Sequence, residues 1–338
     1  MTYPRRLIAP PDEPGYFHVV TRCVRRAYLC GTDEFSGRNF DHRRQWIEDR
    51  IYLLADAFAV SVFSFAVMSN HTHIVLHVDP DATLEWSDEQ VARRWLAAFP
   101  GPLRDAATPE QKERAVLSLI SVPERLEEVR KRLGSLSWFM RALNEPIARM
   151  ANKEDGCTGR FWEGRFKCQA LLEDQAVLSA MTYVDLNPVR AAMVDTLIES
   201  VHTSVQSRLL EREKDRHPTK NLLEGPLKPV AGLDSDALLN MTEASYIELV
   251  QWTGEQARPD KRGKLKPASQ ISNPPEALWS VAKHPKQWLR QVQGTESQYY
   301  RAIGSAEALM LKAAELGQRW MKGVCGERAH QMLAQQQE

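Results

Sequence analysis

Two apolar, β-branched stretches separated by only two residues are the feature that most constrains the fold of this chain. The first is AVSVFSFAVM (59–68) and the second is HTHIVLHV (71–78), with Ser69 and Asn70 between them. Both predict strands, as does YFHVVTR (16–22), which follows Pro14 and Gly15. Apolar residues recur at helical spacing between the first strand and the second, over 41–58. The order strand, helix, strand, strand predicts an α+β fold with a central antiparallel sheet flanked by helices.

The rest of the chain predicts mostly helices, divided by two polar regions. The first region, about 79–136, is charged and contains five prolines, and it predicts an inserted group of two or three exposed helices. Helical spacing returns at 137–152 and again at 174–186. The second region, 206–234, is polar and rich in breakers, which predicts a linker between a core of 1–205 and an α-helical accessory region of 235–338.

Composition excludes several broad classes of protein. The 338 residues carry 44 basic and 44 acidic side chains, so the net charge is zero and does not indicate a nucleic-acid partner. Evidence for such a partner must come from local patches of basic residues. No run of about 18 apolar residues is present, which predicts no membrane partner, and the amino-terminal segment lacks the apolar part of a secretory signal. Five cysteines without CxxC spacing disfavour a disulfide scaffold and structural zinc, so we expect a cytoplasmic protein.

A pair of histidines on one strand is the first candidate for chemistry. Side chains alternate along a strand, so His71 and His73 project from the same face, with Cα atoms about 7 Å apart. Two imidazoles on one face can share a divalent metal ion, although a solvated strand face gives the same pattern. His77 lies about 13 Å beyond His73 along the strand, which is too far to bind the same ion and predicts a structural role.

A tyrosine and an asparagine four residues apart are the second candidate. The spacing places Tyr183 and Asn187 on one helical face. A tyrosine hydroxyl can act as a nucleophile, and an asparagine carbonyl can bind a hard metal ion. Taken alone, a helical tyrosine beside Met181 and Val184 is more often a core residue.

Cations alternate with aromatic residues in the segment GRFWEGRFK (159–167). This pattern suits a single nucleic-acid strand, with phosphates on the cations and bases stacked on the rings, but a tight loop that packs Trp162 onto the core would look the same. Arginines just after the first strand form a second small cluster, and Arg190 follows the Asn-Pro break at 187–188. The candidates for DNA binding are Arg22, Arg25, Arg26, Arg160, Trp162, Arg165, Lys167 and Arg190.

Four segments together resemble one family. GYFHVVTR (15–22), MSNHTHIVL (68–76), GRFWEGRFKCQAL (159–171) and YVDLNPVRAAMV (183–194) occur in the order seen in REP-associated tyrosine transposases, relatives of the single-strand insertion-sequence transposases with a histidine–bulky residue–histidine (HUH) motif. The resemblance covers about 14–205, interrupted by the insertion, and Thr72 stands at the usually aliphatic middle position. It implies a ferredoxin-like core, His71 and His73 as metal ligands, Tyr183 as the nucleophile and Asn187 as a third metal-binding group.

The chemistry implied by the resemblance is cleavage and rejoining of single-stranded DNA. A bound Mg²⁺ or Mn²⁺ polarises the scissile phosphate, which a tyrosine with a pKa of about 10 needs at neutral pH. Attack by Tyr183 would give a 5′-phosphotyrosine intermediate and a free 3′-hydroxyl. The implied substrates are palindromic hairpins, which would place the activity at the nucleoid of a bacterial-type cell, with the protein acting as a monomer or a homodimer.

Three alternatives remain open at the level of sequence. The chain could be a binder of palindromic DNA hairpins that does not cut them. It could be a metal-dependent hydrolase built on the histidine pair, although Ile74 and Val75 stand where further ligands would be expected. The helix at 306–322 could also form a helix-turn-helix reader of duplex DNA, although its exposed face is not notably basic.

Overall fold

The computed structural model describes residues 7–24, 29–32, 37–101, 107–214, 225–234, 238–256, 262–266, 273–297 and 301–325. A mixed sheet forms the centre, and its strand order is β5-β2-β3-β1-β4-β6. The strands are β1 (Gly15–Arg22), β2 (Val60–Val67), β3 (His71–Val78), β4 (Lys167–Leu171), β5 (Ala231–Gly232) and β6 (Ala302–Ile303). All neighbours pair antiparallel except β4 and β6, which are parallel. The predicted α+β fold with a central antiparallel sheet is therefore confirmed.

The central strands form where their composition predicted them, and β2 is buried along its whole length. On β1, His18 is paired with Val75 of β3 on one side and with Gln169 of β4 on the other. His73 of β3 is paired with Val20 of β1, so His73 and His18 are diagonal neighbours on one face of the sheet. This register brings polar side chains of three strands together.

Helices cover both faces of the sheet. The helices of the core are α1 (His42–Ala57), α5 (Leu136–Glu154), α6 (Asp174–Asp185), α7 (Asn187–Arg190) and α8 (Ser204–Lys214). Helix α1 packs against α5 and β2, while α6 packs across β1, β2, β3 and β4. Every residue of α6 from Ala176 to Asp185 is buried. Helix α6 therefore lacks the solvent-exposed polar face of a surface helix.

The region 79–136 folds as the inserted helical group that its composition predicts. A 3₁₀ turn over Pro80–Glu85 is followed by α2 (Asp88–Ala98), α3 (Pro109–Ile120) and α4 (Pro123–Leu133). Helices α2 and α3 each begin with a capping box, formed by Ser87 with Gln90 and by Thr108 with Gln111. Within the described residues, no helix combines the length and the apolar character needed to cross a membrane.

The carboxyl-terminal part of the chain differs from its prediction in two ways. The segment 206–234, predicted as a linker, contains most of α8 together with edge strand β5. The region 235–338, predicted as all-helical, contributes edge strand β6 as well as α9 (Glu243–Glu255), α10 (Leu278–Val281), α11 (Pro285–Ser297) and α12 (Ala306–Glu315). Strands of two residues are too short to show a period, so both were missed. The predicted accessory region is thus part of the sheet.

Candidate functional site

The two histidines of the His71-Thr72-His73 segment lie side by side on β3. His71 begins the strand and is partly buried, while His73 is only 5% exposed. Their ring centroids are 4.8 Å apart, with the rings nearly perpendicular. Both face α6, because strand alternation places them on the side of the sheet that carries His18. The two imidazoles are therefore close enough to act on one ligand.

The side chain of Tyr183 lies at this histidine pair. The ring of Tyr183 is 5.6 Å from the ring of His73 and meets it edge-on. A third imidazole, that of His18, lies 6.0 Å from the same tyrosine ring. Although Tyr183 is only 8% exposed, it is packed toward the imidazoles rather than away from them. A helix and two strands that are distant in sequence thus converge on one cluster.

His18 is a member of this cluster that sequence reasoning missed. It is 2% exposed and stacks on His73, with ring centroids 5.2 Å apart and nearly parallel planes. Nε2 of His18 is 3.0 Å from Nδ1 of His73, and Nδ1 of His18 is 2.7 Å from Oε1 of Gln169. The only sequence signal was a histidine inside an otherwise apolar strand.

The hydrogen bonds determine which nitrogen of each ring carries a proton. Nε2 of Gln169 donates to the carbonyl of Thr295 in α11 at 3.2 Å, so Oε1 of Gln169 faces His18 and accepts from its Nδ1. With one proton on the His18 ring, Nε2 of His18 is an acceptor, and Nδ1 of His73 must donate to it. The lone pair of His73 is therefore on Nε2.

His71 has the same arrangement. Its Nδ1 is 2.5 Å from Oδ1 of Asn70, which can only accept, so Nδ1 of His71 carries the proton and Nε2 carries the lone pair. A metal-binding imidazole usually donates its other ring N–H to an acceptor in this way, since the bond fixes the tautomer and the ring orientation. Both imidazoles have the tautomer that a ligand through Nε2 requires.

Asn187 follows the end of α6, and its side chain does not form a capping hydrogen bond to the next helix, α7. Leu186 occupies the cap position in helical conformation, and Asn187 is the first residue of α7. The amide Nδ2 of Asn187 is buried and has no hydrogen-bond partner among the described residues. This buried amide N–H, one turn from Tyr183, is a donor that an acceptor outside the protein, such as a phosphate oxygen, could satisfy.

Three or more His, Cys, Asp or Glu side chains do not come together as a metal site anywhere in the described residues. The donors that the structure brings together here are the imidazoles of His71 and His73. That set suits a catalytic ion, which needs open positions, better than a structural ion, which is fully enclosed by protein. The residues present therefore fit a divalent cation with sites left for substrate oxygens.

A buried carboxylate holds the end of α6 in place. Asp185 accepts hydrogen bonds from Ser64 of β2 at 3.0 Å, from Ser204 of α8 at 2.5 Å and from Tyr246 of α9 at 2.6 Å. Burial raises the pKa of Asp185, while these three donors and the charge of Arg208 oppose the shift. The network ties the residue two positions after Tyr183 to the sheet and to two other helices.

The cation–aromatic loop divides into an inner and an outer part. Phe161 is buried, and Trp162 packs against the core while its indole N–H donates to the carbonyl of Asn144 in α5 at 2.8 Å. The three cations of the segment are exposed: Arg160, Arg165 and Lys167. The loop thus presents charge outward and holds its tryptophan inward. Of the two interpretations of Trp162, the structure supports packing onto the core.

The remaining DNA-binding candidates are in three different situations. Arg22, at the end of β1, is exposed, whereas Arg25 and Arg26 lie outside the described residues. Arg190 is 7% exposed, and its guanidinium donates to the carbonyls of Thr253, Gly254, Gln256 and Gly263. The guanidinium that was predicted to meet a phosphate is therefore engaged, through Nη1 and Nη2, by backbone acceptors of α9 and the following segment.

Comparison with known proteins adds little. No protein-family model matches this chain, and no curated protein matches it. One solved structure, of a REP-associated tyrosine transposase bound to a REP hairpin, is similar at 11% sequence identity. The similarity covers 63% of this chain and 87% of that one, with a TM-score of 0.33.

Proposed function

We propose that this chain is a DNA strand transferase that cuts and rejoins single-stranded or hairpin DNA through a covalent bond to Tyr183. The observation that carries the proposal is the position of the Tyr183 ring, 5.6 Å from His73 and 6.0 Å from His18, on the face where His71 and His73 are adjacent. A phenol held against His73, whose lone pair is on Nε2 and whose ring lies beside that of His71, joins a nucleophile to a site for a cation. Three of the four sequence segments that resemble tyrosine transposases contain these same residues.

The reaction exchanges one phosphodiester bond for another. The Tyr183 hydroxyl attacks phosphorus in line, the new Tyr–O–P bond forms, and the bond between phosphorus and the 3′-oxygen breaks. The tyrosine loses its proton, and the departing 3′-oxygen gains one. Because the energy of the phosphodiester is kept in the 5′-phosphotyrosine link, another 3′-hydroxyl can reverse the step and join two strands without ATP.

A divalent ion is part of this proposal. His71 and His73, through Nε2, and the amide oxygen of Asn187 would hold it, and the tautomers of the two histidines support the assignment of the imidazoles. When bound, Mg²⁺ or Mn²⁺ supplies positive charge to the phosphoryl oxygens and so compensates for the weak nucleophilicity of a tyrosine at neutral pH. The protein's own contribution is to fix the rings: His18 holds His73, Asn70 holds His71, and the Asp185 network holds the tyrosine helix.

Exposed cations near the site are the candidates for holding the strand. Arg22 ends β1, and Arg160, Arg165 and Lys167 lie on the loop that bridges Cys23 through Trp162. Contacts of these side chains with phosphates would orient a strand without reading its sequence. Any preference for a particular hairpin would have to come from additional contacts with bases.

The test is a covalent adduct. Labelled hairpin DNA with randomised single-stranded flanks is incubated with the protein in Mg²⁺ or Mn²⁺, and the products are separated in denaturant. We expect a protein–DNA adduct with the wild type, none with Tyr183→Phe, and an undiminished adduct with Tyr52→Phe. Tyr52 is a matched control because it is a partly buried tyrosine of α1 whose hydroxyl donates to Ser207 of α8.

Other outcomes correspond to the alternative functions. Retained hairpin binding without an adduct from the wild type would favour a protein that recognises hairpins and does not cut. Cleavage that persists in Tyr183→Phe would favour a metal-dependent hydrolase, because water rather than tyrosine would then be the nucleophile. Either result would refute the proposed covalent mechanism.

A further inference from the structure

A cavity of about 180 Å³ lies between the tyrosine helix α6 and helix α11. Its wall contains Tyr183 and Leu186 from α6 and the start of the Asn-Pro segment, together with one face of α11. The α11 residues that line it are Lys286, Leu289, Arg290, Val292 and Gln293. The candidate nucleophile therefore borders two surfaces: the imidazole cluster on the sheet and this cavity on the side of α11.

Helix α11 is fixed to the site by polar contacts on its inner side. Gln291 accepts a hydrogen bond from Gln175 of α6 at 3.1 Å, and the carbonyl of Thr295 accepts from Gln169 of β4 at 3.2 Å. Trp288 is fully buried and donates to Thr253 of α9 at 2.8 Å. These contacts determine which face of α11 is left to line the cavity.

That face carries an uncompensated pair of cations. Lys286 and Arg290 are both exposed and stand four residues apart, so their charges lie on adjacent turns. Neither side chain forms an ion pair or a hydrogen bond with any residue the structure describes, and the described lining of the cavity contains no carboxylate. Like charges at this spacing destabilise a helix, so the arrangement favours an anion between or beside them.

The volume of the cavity limits the size of the anion that it can enclose. Pockets that enclose a whole small molecule generally have volumes of about 300–1,000 Å³. A cavity of 180 Å³ is smaller than that and is bordered by Tyr183 itself. It suits a phosphate and its adjoining sugar within a longer chain better than a complete nucleotide cofactor.

We infer that this cavity is a subsite for the backbone of the DNA strand on which Tyr183 acts, with Lys286 and Arg290 as its phosphate contacts. The inference rests on the proposed function and extends it, because it assigns substrate binding to the carboxyl-terminal region. Arg190, although it lines the same cavity, has its guanidinium bound by backbone carbonyls and serves to shape the wall.

The experiment measures how affinity for a single strand depends on salt. Fluorescein-labelled oligothymidylate is titrated with the wild type and with the double variant Lys286→Gln/Arg290→Gln over a series of salt concentrations. Each phosphate contact contributes about 0.7 to the slope of log K against log salt for single strands. We expect the double variant to lose about 1.4 from the slope and to bind about 25-fold more weakly at 0.1 M salt.

Two controls make the result specific. Lys112→Gln/Arg114→Gln removes the same charge from exposed, unpaired positions on α3 of the insertion and should leave the slope unchanged. The charge-preserving variant Lys286→Arg/Arg290→Lys should keep the wild-type slope. Equal slopes for the wild type and Lys286→Gln/Arg290→Gln, or equal losses in the α3 variant, would overturn the inference. Competition by inorganic phosphate or thymidine monophosphate as strong as that by the strand would also overturn it.

Failure of the subsite can be told apart from failure of the proposed function. A wild type that forms the covalent adduct, combined with an unchanged salt slope in the double variant, refutes the subsite alone. A wild type that binds oligothymidylate through Lys286 and Arg290 but never forms an adduct at Tyr183 refutes the strand-transfer mechanism and leaves the phosphate contacts established.

Discussion

Nε2 of His18 lies 3.0 Å from Nδ1 of His73, and the two rings are stacked with their planes 10° apart. This contact is the middle link of a chain of hydrogen bonds from the Thr295 carbonyl in α11, through Gln169 and His18, to His73. Because each link has one possible direction, the carbonyl at one end determines the tautomer at the other. Helix α11, from the carboxyl-terminal region, thus helps to set the tautomer of His73, the candidate metal ligand.

Replacement of His18 should weaken the binding of a divalent ion. In His18→Phe, the Nδ1 proton of His73 loses its acceptor, and both tautomers and several ring orientations become available to His73. Loss of such a supporting contact typically costs 10–100-fold in metal affinity, so we expect a decrease of about that size for Mn²⁺. Isothermal titration with Mn²⁺ and the electron paramagnetic resonance of the bound ion provide the measurement.

Two further variants separate this role from a general packing effect. His18→Gln keeps an acceptor in reach of His73 and should recover part of the Mn²⁺ affinity. His77→Phe changes a histidine four residues beyond His73 on the same strand face and should leave the affinity unchanged. Equal Mn²⁺ affinity in the wild type and in His18→Phe would show that His18 does not position the ligand.

Sequence periodicity predicted the central sheet because its strands are long and strongly patterned. The predicted third strand coincides with β3 at His71–Val78, and the predicted first and second strands differ from β1 and β2 by one residue at each displaced end. The family resemblance implies that Tyr183 and the two histidines act at one site. The ring of Tyr183 lies 5.6 Å from that of His73, which in turn lies beside His71.

The parts that sequence reasoning missed depend on contacts between distant residues. Strand β4 has five residues, and β5 and β6 have two each, so their partners rather than their own patterns define them. His18 gave no chemical signal on its own, because its role follows from the register that brings it beside Gln169 and diagonal to His73. The backbone carbonyls that bond the Arg190 guanidinium belong to α9 and the segment after it, and this packing could not be read from local sequence.

Arg190 should contribute to stability rather than to DNA binding. In Arg190→Met, the backbone carbonyls that accept hydrogen bonds from the guanidinium would stay buried and lose their donors. Each buried polar group left unsatisfied typically costs about 1–3 kcal/mol. We expect a loss of about 2–4 kcal/mol in the free energy of unfolding, since some carbonyls will find water. Urea denaturation measures it. An unchanged unfolding free energy together with a smaller salt slope for oligothymidylate would instead restore the phosphate-binding interpretation.

Trp162 should act as an anchor of its loop and not as a stacking platform. In Trp162→Leu, the hydrogen bond to the Asn144 carbonyl and the packing of the indole are lost, and we expect a lower melting temperature. Base stacking on a ring is worth about 1–3 kcal/mol, so a stacking role would show as a loss of roughly 5–150-fold in affinity for oligothymidylate. We expect unchanged affinity, measured by fluorescence anisotropy below the melting temperature of the variant. Arg165→Gln/Lys167→Gln should behave oppositely, with weaker binding and an unchanged melting temperature.

His77 should make the fold less stable in acid. Burial lowers the pKa of His77 below its ordinary value of 6.5, although the charge of Asp79 opposes the shift. Between the lowered pKa and 6.5, the unfolded chain binds more protons than the folded one, so stability decreases as the pH falls below about 6.5 and is fully present above it. The ring packs against that of Tyr16 with centroids 4.4 Å apart and planes tilted by 36°, a contact that a phenylalanine can reproduce. We expect the melting temperature of His77→Phe relative to the wild type to be higher at pH 5 than at pH 8. The proton resonances of the His77 ring should titrate below 6.5; a midpoint at or above that value would contradict the assignment, because burial would then not disfavour the charged ring.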